Sequence, residues 1–501
     1  MNFSDACLWS LLRAVAAALL AVPAARCLAP LLLASGRWTL LLATLALAPL
    51  FAPELLVGYG WSSFQLTQLH RPVANHCLYF ALLLLKVFPA GAIARVCTPP
   101  PPVSPLAGHC DRLLGTRAES GRSRGIRLRA QWMRDLPAAA VVFLLAFQEF
   151  EIASLMQIPA WTVSLFDSQK KWGLQPDVMF ERMLLPIAVE LLVLIPLVVF
   201  CLRSGSSNRP RWRDTDSPGP RRPVTGLILA AAGTIALWVI PFSLIASSGF
   251  SAIGGFASNR VLVQSFLLDL TAAIVLGTGA AVLALSLSRL LMHLIASPRP
   301  AGGEAMARRV SRNIVFWGAM IPGLAGAIVV CLSVLLVIQV PGLTGLRSTI
   351  MPAVFALTLF VLPRAVLIQL LTGTGHRSEA GHLAGLLTHA ADHSRAMRGG
   401  RLLWATDARW LFLTGCVVFY QAMLNLTAAA VLCPPTVSIF PGSMSVVPLP
   451  VRLYNMMHFG RTGPVSMMAL LSVVVPGVIM LGLVWFLPVI YVRLMRRTAR
   501  A

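Results

Sequence analysis

Runs of about twenty apolar residues recur along the chain and leave little choice of fold. They fall at roughly 7–25, 38–60, 76–97, 136–157, 183–202, 225–246, 263–288, 313–338, 349–371, 410–432 and 466–492. A helix of ~20 residues spans the ~30 Å hydrocarbon core of a bilayer. In lipid, every backbone N–H and C=O must be satisfied within the chain, so a span is either a helix or a strand of a closed barrel. A barrel would show segments of ~10 residues with alternating polarity, and the runs here are continuous instead. Hydrophobic residues make up 57% of the 501 positions and charged residues 12%. No soluble core could hide that much apolar surface. The sequence predicts an all-α polytopic membrane protein with about eleven transmembrane helices.

The net charge of +23 first suggests a nucleic-acid partner, but its distribution argues for topology. Only Lys86, Lys170 and Lys171 are lysines, and the other 38 basic residues are Arg. With the C-terminus placed in the cytoplasm, the loops at about 98–135, 203–224, 289–312, 372–409 and 493–501 hold 27 Arg. The opposite loops, about 61–75, 158–182, 247–262, 339–348 and 433–465, hold 8 basic residues. This is the positive-inside pattern, and it puts the N-terminus outside. The nine cysteines include no C-x-x-C pair, so neither a zinc site nor a redox pair is expected. The N-terminal segment lacks a basic leader and a clear cleavage site, and reads as a retained membrane helix.

Between the fifth and sixth runs lies RSGSSNRPRWRDTDSPGPRRP, from Arg203 to Pro223. So much Ser, Gly, Pro and Arg cannot form a core, so it reads as a linker. The expected organisation is a first half over 1–202 with five helices, a cytoplasmic linker over 203–224, and a second half over 225–501 with six. The halves share features. Trp161-Thr162-Val163-Ser164-Leu165-Phe166 resembles Pro435-Thr436-Val437-Ser438-Ile439-Phe440. Pro53 and Pro322 each open a segment, and Pro89 and Pro363 each sit in the helix before a long inside loop. Gly385 lies 63 residues beyond Pro322, and Gly115 lies 62 beyond Pro53. The matching spacing predicts an internal duplication of parallel halves.

These residues resemble the permease subunits of binding-protein-dependent ABC importers, in particular the fused, double-length permeases of the ferric-iron and thiamine type. The resemblance runs from about Leu12 to about Phe486. It rests on Glu379-Ala380-Gly381-x-x-x-Gly385, close to the E-A-A-x-x-x-G loop of that family, and on its weaker twin His109-Cys110-Asp111-x-x-x-Gly115. The first half departs from the family in losing the Glu and in having one helix fewer. The resemblance implies a bacterial inner-membrane location and, as partners, a cytoplasmic ATPase dimer and an extracytoplasmic binding protein; it favours iron(III) as cargo and leaves thiamine, other metals, anions and small organic solutes open. It assigns ATPase coupling to Glu379, Ala380, Gly381 and Gly385, and more weakly to Asp111 and Gly115. It also implies that Tyr454 and His458, in Y-N-M-M-H-F-G, meet the binding protein. ATP and Mg would be bound by the partner, and no cofactor is expected in this chain. Independently of the resemblance, no Gly precedes any of the three lysines, so a P-loop is absent from the sequence.

The main polar signal inside a span is Gln148-Glu149-Phe150-Glu151. Carboxylates in a membrane are costly and face a protein interior or a water path. Aligning the TVS repeats sets Asn425 opposite Glu151, with Gln421 one turn earlier. Glu151 and Asn425, with Glu149 and Gln421, are therefore the candidate lining of a translocation path. A structural role for the two carboxylates stands beside that reading. Arg13, Lys86, Arg95 and Arg364 are expected to snorkel toward an interface. His389 and His393 have i, i+4 spacing but no third ligand, so no metal site is expected. The competing function is an ion- or proton-coupled secondary transporter or channel without an ATPase.

Overall fold

The computed structural model describes residues 2–32, 39–67, 72–98, 120–172, 176–204, 223–296, 304–372, 409–433, 447–458 and 463–498, with scattered positions between 383 and 402. The described residues form helices and no strand. Eight helices are long and apolar enough to cross a membrane, or up to eleven if three sharply bent helix pairs are each one span. All eleven apolar runs of the sequence fall on one of these helices or pairs. The chain divides into two compact units, Met1–Ser243 and Leu244–Ala501. That boundary lies beyond the Ser/Pro/Arg-rich linker, so the first part of the helix after the linker belongs to the first unit.

In the first unit, α1 (Phe3–Leu32) packs on α4 (Pro72–Cys97) and α5 (Ser120–Phe147). Its buried face is a stripe of small residues, Ala14, Ala17, Ala21 and Ala25, while Leu12, Leu19 and Leu20 are exposed. Small residues let helix backbones approach closely, which is how packing is gained where lipid tails offer no hydrophobic drive. Between them runs a bent pair: α2 (Thr39–Leu47) with its 3₁₀ extension Ala48–Phe51, then α3 (Glu54–Thr67), turned by 71°. Pro53 stands in the break, where its missing N–H leaves a helical hydrogen bond unmade. After α5 come α6 (Glu151–Leu155), α7 (Trp161–Trp172) and the long α8 (Pro176–Ser204).

The first unit is completed by α9 (Pro223–Thr234), which runs through a π-helical turn, Ile235–Val239, into α10 (Ile240–Ser251). Gly226 sits on the Cys27 carbonyl of α1 with no room for a Cβ, so only glycine permits that approach. Trp238 Nε1 donates to the Ala48 carbonyl at 2.8 Å, and Trp61 Nε1 donates to the Ala236 carbonyl at 3.0 Å. These contacts explain why α9 belongs with the residues before the linker.

In the second unit, α11 (Ile253–Ser258) precedes α12 (Arg260–Ala296), which packs on α15 (Met351–Thr372) and α16 (Arg409–Met423). Between them, α13 (Glu304–Leu324) and α14 (Ala327–Val337) are bent by 108°. Gly326 caps α14 with φ of 86°, a left-handed conformation that suits glycine. Leu291, Met292, Met320, Leu362 and Val366 form a core among α12, α13 and α15. A third bend, of 52°, separates α16 from α17 (Leu426–Leu432), which is followed by α18 (Leu449–His458) and α19 (Gly463–Thr498).

Candidate functional site: the interrupted helices

A helix interrupted inside a membrane exposes carbonyls and amides that lipid cannot satisfy. The side chains that answer them are therefore the most informative polar residues of the chain. In the first unit, the interruption at Gln148–Phe150 separates α5 from α6. Glu149 is buried there. Its Oε1 accepts from Ile152 N at 2.6 Å, its Oε2 accepts from Ala153 N at 3.1 Å, and Tyr79 Oη of α4 donates to Oε2 at 2.8 Å. Trp161 Nε1 of α7 donates to the Phe147 carbonyl at 2.8 Å, and Thr162 Oγ1 donates to the Glu149 carbonyl at 2.9 Å. Past α6, Asn75 Nδ2 donates to the Met156 carbonyl at 3.1 Å, beside Gln157 at φ 52°. Arg13 of α1 donates to the Pro159 carbonyl and lies 5.2 Å over the Tyr79 ring.

The break at Pro53 is closed by a charge pair. Lys86 of α4, itself buried, donates from Nζ to the Ala52 carbonyl at 3.1 Å and pairs with Glu54 at 2.7 Å. On one helix, therefore, Tyr79 serves the break at Glu149 and Lys86 serves the break at Pro53. Nearer the predicted cytoplasmic ends, Asp135 of α5 is held by Arg26 and Arg95.

The second unit meets the same need with fewer charges. Asn425 Oδ1 accepts from Ala428 N at 2.9 Å, an N-cap that opens α17. Gln421 Oε1 accepts from Arg364 Nη1 at 3.1 Å, and the Arg364 guanidinium lies 4.3 Å over the Phe360 ring. Asp269 of α12, buried, pairs with Arg452 of α18 and accepts from Val447 N at 3.2 Å.

The predicted path residues can now be placed. Glu149, Glu151 and Asn425 are buried, and Gln421 is half-buried beside Arg364. Glu151 is the first residue of α6. Glu149 and Asn425 each accept from the amide three residues ahead, near the start of a short helix. Tyr454 is buried in α18, and His458 is the last residue of that helix. Glu379, Ala380, Gly381, Gly385, Asp111 and Gly115 lie outside the described residues, as do His389 and His393. Within that loop Leu383, Leu386 and Leu387 are helical, and Leu383 and Leu386 are exposed.

Snorkelling does not describe the membrane cations. Lys86, Arg95, Arg13 and Arg364 each reach a partner within the protein, because an acid, a carbonyl or an amide lies within range on a neighbouring helix. Sequence reasoning also passed over Tyr79, Glu54, Asp269 and Arg452. Their isolated occurrence in apolar runs was the only available sign. Among the described residues, no group of three His, Cys, Asp or Glu is arranged to hold a metal ion. No family model, no curated protein and no solved structure matches the chain.

Proposed function

We propose that the chain is the transmembrane permease of an ATP-driven, binding-protein-dependent importer of the bacterial inner membrane, built from two pseudo-repeated halves. The observation that carries this reading is the recurrence of one helix order with one set of pairings. In the first unit α1 packs on α4 and α5, the second limb of a bent pair (α3) packs on the short helix after a break (α6), and α7 and α8 follow. In the second unit α12 packs on α15 and α16, α14 packs on α17, and α18 and α19 follow. This supports a duplicated core of five spans, with α9 and α10 as an added helix, in place of the five-plus-six division read from hydropathy. Broken helices that bring backbone groups to membrane depth are a recurrent device of transporters.

Coupling to an ATPase is supported by the Glu379–Gly385 resemblance, by the cytoplasmic side that the Arg bias assigns to it, and by the exposed, helical Leu383 and Leu386 within the same loop. A short helix with an apolar face can act as a rigid contact that transmits closure of a partner. ATP hydrolysis then belongs to the partner chain, and the resemblance makes iron(III) the first cargo to test. Purification from native membranes tests this reading: a stoichiometric ATPase should come with the chain, and uptake in proteoliposomes should require ATP and a binding protein. Uptake driven by a proton or sodium gradient, with no ATPase retained, would replace it with a secondary transporter.

A further inference from the structure

The 108° bend turns α14 away from α13, and beside it the second unit holds a groove of about 540 Å³. Its walls come from Pro322 at the bend, Val330 and Val334 of α14, Leu346 of the 3₁₀ turn Thr344–Ser348, and Met351 and Leu359 of α15. Apart from Ser333, every lining side chain is apolar. Val330 and Val334 are buried in the floor, whereas Val337, Met351 and Phe355 at the edge are each more than half exposed. Water does not settle in such a place, because it needs two to four polar partners.

The groove follows α15 from Met351 to Leu359, eight residues on, which is ~12 Å at ~1.5 Å per residue. Met351 also opens the apolar span of that helix. The groove therefore starts at the membrane surface and reaches nearly the depth of one leaflet, ~15 Å or half of the ~30 Å core. A lipid acyl chain has both the chemistry and the length to fill it. Apolar walls alone would not retain a lipid, since the surrounding tails are just as apolar. One charge at the mouth supplies a preference. Arg347 is exposed next to the lining residue Leu346, and it is the only Asp, Glu, Lys or Arg between Arg312 and Arg364. A guanidinium at headgroup level complements a lipid phosphate.

We propose that this groove is a phospholipid site: it takes one acyl chain of an anionic phospholipid, and Arg347 meets the phosphate of the same molecule. The inference needs only the membrane setting of α14 and α15. It involves neither an ATPase nor a cargo, so it and the importer reading can fail separately.

The test places the full-length chain in lipid nanodiscs with phosphatidylglycerol that carries a diazirine in one acyl chain. After irradiation, peptides of α14 and α15 should hold more label than α8, whose exposed Leu184, Leu191 and Leu192 report on bulk lipid. A phosphatidylcholine analogue, which has no net charge, should label the groove ~5-fold less, the preference that one basic residue gives. Arg347→Gln should erase that difference. Ser333 lines the groove from an exposed position, so Ser333→Phe should fill the space and block the label, while Ser333→Ala should not. Label spread evenly between α8 and the groove overturns the proposal, and so does equal labelling by the two lipids. A dimer of the chain that excludes the label overturns it too, since a second copy would then cover the groove. If Ser333→Phe does not fold, Arg347→Gln, at an exposed residue, decides alone.

Discussion

Lys86 touches both sides of one break, with the Ala52 carbonyl before Pro53 and the Glu54 carboxylate after it. Removing the ammonium leaves a carbonyl without its partner and an acid without its countercharge. Breaking a buried pair costs ~3–5 kcal/mol, and the partial exposure of Glu54 brings the expected loss for Lys86→Met down to about 2 kcal/mol. Adding Glu54→Gln to Lys86→Met should recover part of that loss, because the stranded charge goes too. Unfolding in mixed micelles measures both variants, and equal stability of single and double variants would contradict the pair. Tyr79→Phe removes one hydrogen bond to the Glu149 carboxyl and should cost about 1 kcal/mol in the same assay. The sequence displayed Lys86 as a lone cation in an apolar run. It could not reveal the partner, because Glu54 is 32 residues away and reaches it only through the turn of the bent pair.

At the scale of elements, the short helices α6 and α17 have five and seven residues. Helices that short do not persist alone, since nucleation is unfavourable and few bonds follow it. Their first amides are held instead by Glu149 and Asn425. Asn425→Ala should therefore cost about 1 kcal/mol, the usual value of an N-cap, while Asn425→Ser, a neutral cap, should cost much less. Hydrogen exchange at Ala428 reads the difference directly. Should Asn425→Ala leave both stability and that exchange rate unchanged, the cap has no role. The runs 38–60, 313–338 and 410–432 read as single segments in the sequence, yet each is a bent pair. Hydropathy reports how apolar a stretch is and carries no sign of its direction. Pro53 and Pro322 marked two of the bends, but proline is also tolerated within intact membrane helices, as Pro89 and Pro363 show here.

At the scale of the whole molecule, α9 and the start of α10 complete the first unit although they follow the linker. A fragment covering 1–251 should resist proteolysis in micelles better than one covering 1–204, which leaves Cys27 and Ala48 without Gly226 and Trp238 against them. Equal digestion rates would show that the unit is complete without α9. On the proposed importer reading, substituting Glu379 or Gly385 should reduce ATP-dependent uptake more than substituting Asp111 or Gly115, because the first loop lacks the Glu that opens the second. Equal or reversed losses would remove that asymmetry.

The sequence by itself determined the solvent and the secondary structure: apolar runs of this length demand membrane helices. Both properties are sums over neighbouring residues, so a linear reading recovers them. Only the tertiary structure decided where the spans bend, which unit owns α9, and which partner each buried charge has. It also set Glu149 and Asn425 each on the backbone amide three residues ahead. Those outcomes depend on groups far apart in the chain that meet because a broken helix must have every exposed carbonyl and amide answered. Gln148-Glu149-Phe150-Glu151 drew attention as two acids in a span. Folding made one of them, Glu149, a cap on the backbone amides of Ile152 and Ala153.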